Sequence, residues 1–215
     1  MILGVDASQD CSTIAQLLSA DGRSFVCRYY ANSGKKRLTT AELQKLNQSG
    51  LKVVVVWEDG FPTKPGYFSF TKGVDDGTSA YQDALQVGQP INTPIYFAVD
   101  YDASDSELAG VLNDYFVGLS TGIQTASQGK NDHPIGVYGS GATCAFMLRR
   151  GLATYSWLAM STGWNGSDFS DWNIRQSKGS TYAGIQVDYD EASNDHFGGF
   201  SVVRGPALRG EKVDL

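Results

Sequence analysis

Pro94-Ile95-Tyr96-Phe97-Ala98-Val99-Asp100-Tyr101-Asp102 is the stretch on which the reading of the chain turns. β-Branched and aromatic residues behind a proline predict a buried strand, and that strand runs directly into two acids. In extended backbone, residues i and i+2 share a face, so Asp100 and Asp102 are expected to project together from the strand's carboxyl end. Two like charges held that close raise the proton affinity of at least one, which an acid catalyst near neutral pH requires.

Leu51–Glu58, upstream, contains Val53-Val54-Val55-Val56-Trp57 and also closes on an acid. A run so continuously apolar suits a parallel strand covered by helices rather than a sheet with one wet face. Ile2–Asp6, Phe25–Tyr30, Pro134–Tyr138, Tyr155–Met160, Trp172–Gln176 and Ile185–Tyr189 bring the strands to eight. Helices are expected over Ser12–Ser19, after the capping box Thr39-x-x-Glu42, over Gly77–Val87, after a second capping box Ser104-x-x-Glu107, and from Gly139-Ser140-Gly141. Asp59–Asp76, rich in glycine, proline and aromatics, reads as a functional loop. The alternation predicts an α/β fold, a (β/α)8 TIM-type barrel in a single domain over residues 1–215, irregular in its last strands and helices. An open doubly wound sheet is the alternative, unsupported by any dinucleotide or phosphate fingerprint. Gly139-Ser140-Gly141 lacks the third glycine and the lysine, and Tyr138 stands where a nucleophile elbow needs glycine.

The 215 residues, 41% of them hydrophobic, suffice for one large core. A net charge of −6 argues against nucleic acid, which needs a basic face, and disfavours simple attachment to anionic membranes or wall polymers. No run approaches the ~18 apolar residues of a membrane span. No basic, then apolar, leader is visible at Met1, so export by lysis or a secretion machine is the expectation for a protein acting at the cell wall, in the periplasm or outside the cell. Cys11, Cys27 and Cys144 fit no zinc or redox spacing and are expected to be buried free thiols. With only His133 and His196, no histidine-rich metal site is expected.

Barrel enzymes carry their sites at the carboxyl ends of the strands. Those ends are Asp6, Tyr30, Glu58, Asp100 with Asp102, Tyr138, Trp157, Gln176, and Asp188 with Asp190. Carboxylates and amides among aromatic rings suit sugars, whose hydroxyls need hydrogen bonds and whose apolar faces stack. Glycoside hydrolysis needs one acid to protonate the leaving oxygen and a second carboxylate, or the substrate's own acetamido group. Each acid also has a structural reading. Asp6 could form a turn or cap a helix, Asp100-Tyr101-Asp102 before Ser104 could serve capping, Glu58 could face an open loop, and Asp190 could orient the last loop. Trp57, Trp164 and Trp172 read as packing.

Gly4-Val5-Asp6, Arg28-Tyr29-Tyr30, Lys36-x-Leu38-Thr39-x-x-Glu42, Ile95 through Asp102, Ile135-Gly136-Val137-Tyr138-Gly139 and Val187-Asp188 resemble glycoside-hydrolase-like domains long filed as a domain of unknown function. These are similar in turn to the family-25 glycoside hydrolases, lysozymes that cut peptidoglycan between N-acetylmuramic acid and N-acetylglucosamine. The likeness runs from about Met1 to Asp190. That family has an acid after the first strand, Asp-x-Glu after the fourth and Asp after the eighth. The resemblance implies Asp102 in the place of the general acid and Asp100 in that of its partner, with Asp6 and Asp188 holding substrate and tuning the pair. Asp102 is one methylene shorter than Glu, a change in reach of about 1.5 Å, and a misplacement of about 1 Å can cost ~100-fold in rate.

The leading expectation is a metal-independent muramidase acting on peptidoglycan or a related amino-sugar polymer, with Asp102, Asp100, Asp6 and Asp188 as its acids. Glu58, Tyr30, Tyr138, Trp157, Gln176 and Asp190 would line the substrate. The expectation includes no cofactor, no bound metal, a monomer, and a possible delivery or immunity partner protein. The alternatives are a glycan-binding module without turnover, for which the shortened Asp102 argues, and a Mg²⁺-dependent phosphohydrolase using Asp-x-Asp.

Overall fold

The computed structural model describes residues 1–32, 34–130 and 132–202; the last thirteen residues of the expected 1–215 domain lie outside the described residues. Eight strands close into a barrel in chain order: β1 (Ile2–Asp6), β2 (Phe25–Tyr30), β3 (Lys52–Trp57), β4 (Ile95–Ala98), β5 (Ile135–Gly139), β6 (Tyr155–Leu158), β7 (Ile174–Tyr182) and β8 (Ile185–Ala192). Neighbours from β1 to β7 pair in parallel, whereas β8 runs antiparallel to both β7 and β1. The barrel is therefore mixed, and the irregularity expected at the end of the chain is a reversed closing strand. Its hairpin turns on Ala183 and Gly184, both at positive φ (46° and 88°), the two-residue geometry that matches strand twist.

Period-two alternation sorts the strand residues into two apolar layers. Phe25, Cys27, Val54, Val56, Tyr96, Ala98, Trp157 and Ile174 fill the barrel, and Phe197 joins them. The Tyr96 hydroxyl donates to the Phe197 carbonyl (2.9 Å), and the Phe25 and Phe197 rings lie 4.7 Å apart. Gly4 and Gly136 leave room for the Phe25 and Tyr96 rings, which a β-carbon at either position would strike. Val5, Val26, Tyr30, Val53, Val55, Trp57, Ile95 and Phe97 face the other way, into the helix layer.

That layer comprises α1 (Ala15–Ala20), α2 (Thr40–Gln48), α3 (Phe70–Val87), a short α4 (Asp105–Glu107) passing through a π-turn (Leu108–Leu112) into α5 (Asn113–Ala126), and α6 (Gly141–Arg149). Both expected capping positions act: Thr39 accepts from the Glu42 N–H, and Ser104 and Glu107 form a reciprocal box. α3 starts at Phe70, so the second half of the expected 59–76 loop is helix; Ser69 caps it. Asp76, buried in the second turn of α3, accepts from Tyr115 (2.9 Å) and Tyr67 (3.3 Å) and pairs with Lys72 (2.6 Å), tying the loop before α3 to α5. All three cysteines are buried and unpaired, as expected.

The pair Arg28–Glu42 lies wholly inside the outer layer, 0% and 1% exposed. Arg28 Nε donates to Glu42 Oε1 (2.6 Å), its Nη2 to Oε2 (3.1 Å) and its Nη1 to the Ala7 carbonyl. Glu42 also accepts the Cys11 N–H (2.9 Å), so one ion pair binds β2, α2 and the loop after β1. Removing one member of such a pair strands a buried charge at a cost of about 3–5 kcal/mol. Glu42→Ala is expected to lower unfolding stability by that amount in urea melts, and Arg28→Met with Glu42→Leu together by much less than the sum of the singles.

Candidate functional site

Residues within or just after all eight strands meet around one cavity of about 360 Å³. Asp6, Tyr29, Glu58, Asp100, Tyr138, Trp157, Gln176 and Asp188 line it, with Val56 between them. A second cavity of about 370 Å³ shares Asp6, Tyr29 and Asp188 and continues over the β7–β8 hairpin past Ser8, Ser180 and Gln186. The mouth is thus an elongated cleft with carboxylates at its centre.

Asp188 reaches the mouth because β8 is reversed. In the ladder it stands directly opposite Asp6, the last residue of β1. Like charges opposite each other repel, and Asp188 is one cause of the raised pKa of Asp6, after burial; Asp6 is pushed up to about 6. Gln176 Nε2 (2.8 Å) and the Tyr29 hydroxyl (3.4 Å) donate to Asp6 and partly offset that rise. Burial also raises Asp188, against a hydrogen bond from the Gly179 N–H. Gly179 sits in a bulge between Ser177 and Ser180, and a β-carbon there would overlap the Asp188 carboxylate.

On the opposite wall, burial raises the pKa of Asp100, and the charge of Glu58 raises it further. Lys36 pairs with Glu58 (2.8 Å), and its ammonium lies 5.3 Å from the Tyr29 ring centre. Asp100's companion is therefore Glu58 rather than Asp102. Regular pairing in β4 stops at Ala98, and the Asp100 N–H turns to the Pro62 carbonyl (2.9 Å). The chain bends at Tyr101, so the i, i+2 rule that placed the two aspartates together no longer applies. Asp102 is exposed, lies outside the cavity lining, and accepts the Asn165 N–H (2.9 Å), pinning the loop after β6.

Tyr30 and Asp190 also lie away from the cleft surface. Tyr30 is buried in the helix layer, its hydroxyl donating to Gln89 (2.9 Å), and Tyr29 faces the cavity instead. Every residue of β2 is apolar or buried, so alternation was silent there. The legible signal was Arg28: a charge whose partner, Glu42, sits on a helix must face outward, which turns Tyr29 inward. Asp190 lies below the lining, 2% exposed, accepting from the Trp157 indole N–H (3.0 Å). Tyr138, Trp157, Gln176 and Glu58 do line the cavity; the Tyr138 hydroxyl donates to Gln176 Oε1 (3.1 Å). Lys36 entered the sequence reading only as part of a motif, without a role at the site, and Gly179 not at all, because their roles depend on a loop and a bulge with no periodic signal.

The fold is that of an eight-stranded α/β barrel with acids gathered at its mouth, an architecture that hosts many chemistries. Residues 16–198 match the family model described as Rv2525c-like, glycoside hydrolase-like domain, and the chain belongs to that family. The uncharacterized protein FadG of Bacillus subtilis (strain 168) is 32% identical over 165 residues, 74% of this chain but only 28% of FadG's length. Among solved structures, the Tat-secreted protein Rv2525c of Mycobacterium tuberculosis, in complex with L-tartrate, superposes with a TM-score of 0.71 at 20% identity, covering 92% of this chain and 97% of that one. A muramidase from Acremonium alcalophilum superposes with a TM-score of 0.57 at 16% identity, covering 91% and 95%. These structural likenesses concern the fold.

The raised acids have a thermodynamic signature. Between about pH 4 and pH 6, folded Asp6 holds a proton that the unfolded chain has released, so stability falls as pH rises through that window. For Asp6 the loss is of the order of 3 kcal/mol, and Asp100 and Asp188 act with the same sign. Asp6→Asn is expected to be more stable than the parent at pH 7 and no more stable at pH 4, as measured by urea midpoints at the two pH values. A difference in stability between Asp6→Asn and the parent that is the same at both pH values would show that the fold does not perturb Asp6.

Proposed function

We propose that the cleft binds a polymer of N-acetylated amino sugars of the peptidoglycan type and hydrolyses a glycosidic bond at its centre. One observation carries the reading: within a single cavity, Asp100 faces Glu58 on one wall while Asp6 and Asp188 form the other. Lys36 supports the negative charge of Glu58, and that charge makes Asp100 the carboxyl of this wall that keeps its proton as pH rises. Asp100 thus has the attributes of a proton donor to a leaving oxygen. Asp6 and Asp188 supply the second carboxylate, which receives the developing positive charge or orients an acetamido group. Tyr29 and Tyr138 offer rings and hydroxyls to a pyranose above the buried Trp157, and the adjoining cavity over the hairpin extends the cleft beyond one sugar unit. Peptidoglycan lies outside the cytoplasm, so the reading places the working protein at the wall or in the extracellular space.

A second reading has its own support. Asp102, in the position where the resemblance puts the general acid, is exposed and occupied by the Asn165 N–H. A barrel that had lost turnover and kept glycan binding would tolerate that change. Both readings are tested on purified sacculi and on chitin-type and muramyl oligosaccharides, by counting new reducing ends and measuring retention on the polymer. Asp100→Asn is expected to lower turnover by about 10²–10⁴-fold, the usual contribution of a general acid, with binding retained. Asp102→Asn is expected to stay within a few-fold of the parent, and EDTA to change nothing. Retention on sacculi without any new reducing ends in the parent would select the binding module; loss of turnover in Asp102→Asn alone would return the donor's role to that residue.

A further inference from the structure

Below the cavity floor lies a buried acid that the reading above leaves without a task. Asp190 stands on the inner face of β8, opposite Gly4 on β1 and Gln176 on β7. Gly4 has no side chain, so across that gap Asp190 and Asp6 meet diagonally, two residues apart in register. The surrounding hydrogen bonds determine how the two acids differ. The Met160 N–H can only donate, and it points at Gln176 Oε1 (3.2 Å), which also accepts from Tyr138 (3.1 Å). The Gln176 amide is thereby oriented with its NH₂ toward Asp6 Oδ2 (2.8 Å), while Tyr29 donates to Asp6 Oδ1 (3.4 Å). Both oxygens of Asp6 thus face donors, the setting of a carboxylate.

Asp190 is placed differently. Its Oδ1 accepts from Trp157 Nε1 (3.0 Å), but its Oδ2 is buried without a hydrogen-bond partner of ordinary geometry among the described residues, and the Cys27 thiol interacts with the carboxyl group as no more than a weak donor. Among the described residues no cation compensates it: Arg28 is turned outward to Glu42, and Lys36 pairs with Glu58. The titratable groups among the described residues that face it are Asp6 from β1, Cys27 from β2, Tyr138 from β5 and Asp188 from its own strand, all acids. Two carboxyl groups in contact are compatible only if a proton lies between them. We propose that Asp190 is a positioning residue, a neutral carboxylic acid whose Oδ2–H donates to Asp6 and so fixes Asp6 as the carboxylate presented to the cleft. Burial and the charge of Asp6 both hold Asp190 well above the usual carboxylate range, in keeping with this arrangement. The proposal deepens the glycan reading, on which only Asp6's contact with substrate depends; the proton's location can be read without substrate.

The test is carboxyl-carbon NMR of the full chain labelled at aspartate, titrated between about pH 4 and pH 8 and assigned with single variants. Asp190 is expected to keep the chemical shift of a protonated acid throughout, with Asp6 titrating near 6. Asp190→Asn retains an oxygen for the Trp157 indole and an N–H for Asp6, and should leave the Asp6 midpoint within about half a pH unit. Asp190→Leu removes the donor, and should raise that midpoint by about one unit or more. Ionisation of Asp190 within the range, or a fall of the Asp6 midpoint in either variant, as relief of repulsion from a charged neighbour would produce, overturns the proposal. If Asp190→Leu does not fold, the parent and Asp190→Asn titrations decide by themselves. A parent that neither binds nor cleaves any glycan would remove the functional reading alone, because the titration assigns the proton in either case.

Discussion

The antiparallel ladder between β1 and β8 governs this molecule. It closes the barrel, and in the same register it sets Asp6 against Asp188 and brings Asp190 diagonally beneath them. A parallel eighth strand would present its carboxyl end at the mouth. The reversed strand presents its first half instead, so Asp188 reaches the cleft from the middle of a strand whose end, Ala192, packs inside the barrel. Repulsion among these acids costs stability, and the fold tolerates it because three donors (Gln176, Tyr29 and the Gly179 N–H) converge on them.

The remaining elements make that tolerance possible by holding the strand ends rigid from outside. The Arg28–Glu42 pair links the second strand to its helix and to the loop leaving Asp6, so the residue that closes the first strand is braced on both sides. α3 and α5 approach closely at Gly73, Gly77, Gly118 and Gly122, where β-carbons would overlap the facing backbone. The network of Asp76, Tyr67 and Tyr115 then anchors the loop that carries Pro62 against Asp100. Few of these contacts touch the cleft, yet they set where its two acidic walls stand.

The two walls are chemically unlike. Glu58 pairs with the Lys36 ammonium, and its charge adds to burial in raising the proton affinity of Asp100. Asp6, Asp188 and Asp190 have only neutral donors, so burial governs their protons. Environments that push carboxyl groups apart in proton affinity are what acid–base chemistry on a sugar needs. The outer aspartate of the loop after the fourth strand anchors another loop, and a glutamate that follows the third strand stands beside the inner one.

Period and composition alone determined the barrel, its strand order and most of the mouth: Asp6, Glu58, Asp100, Tyr138, Trp157, Gln176 and Asp188 all follow from apolar runs that end on polar residues. Such runs are local, and the carboxyl end of a buried strand is where a barrel must open. What the tertiary structure decided is which way each side chain faces once the regular pattern fails. Asp102 turned outward because β4 stops at Ala98, Tyr29 replaced Tyr30 because an ion pair to a helix sets the parity of β2, and Asp190 sank below the floor because β8 runs backwards. Each outcome rests on a contact between residues distant in the chain, and a sequence pattern records no such contact.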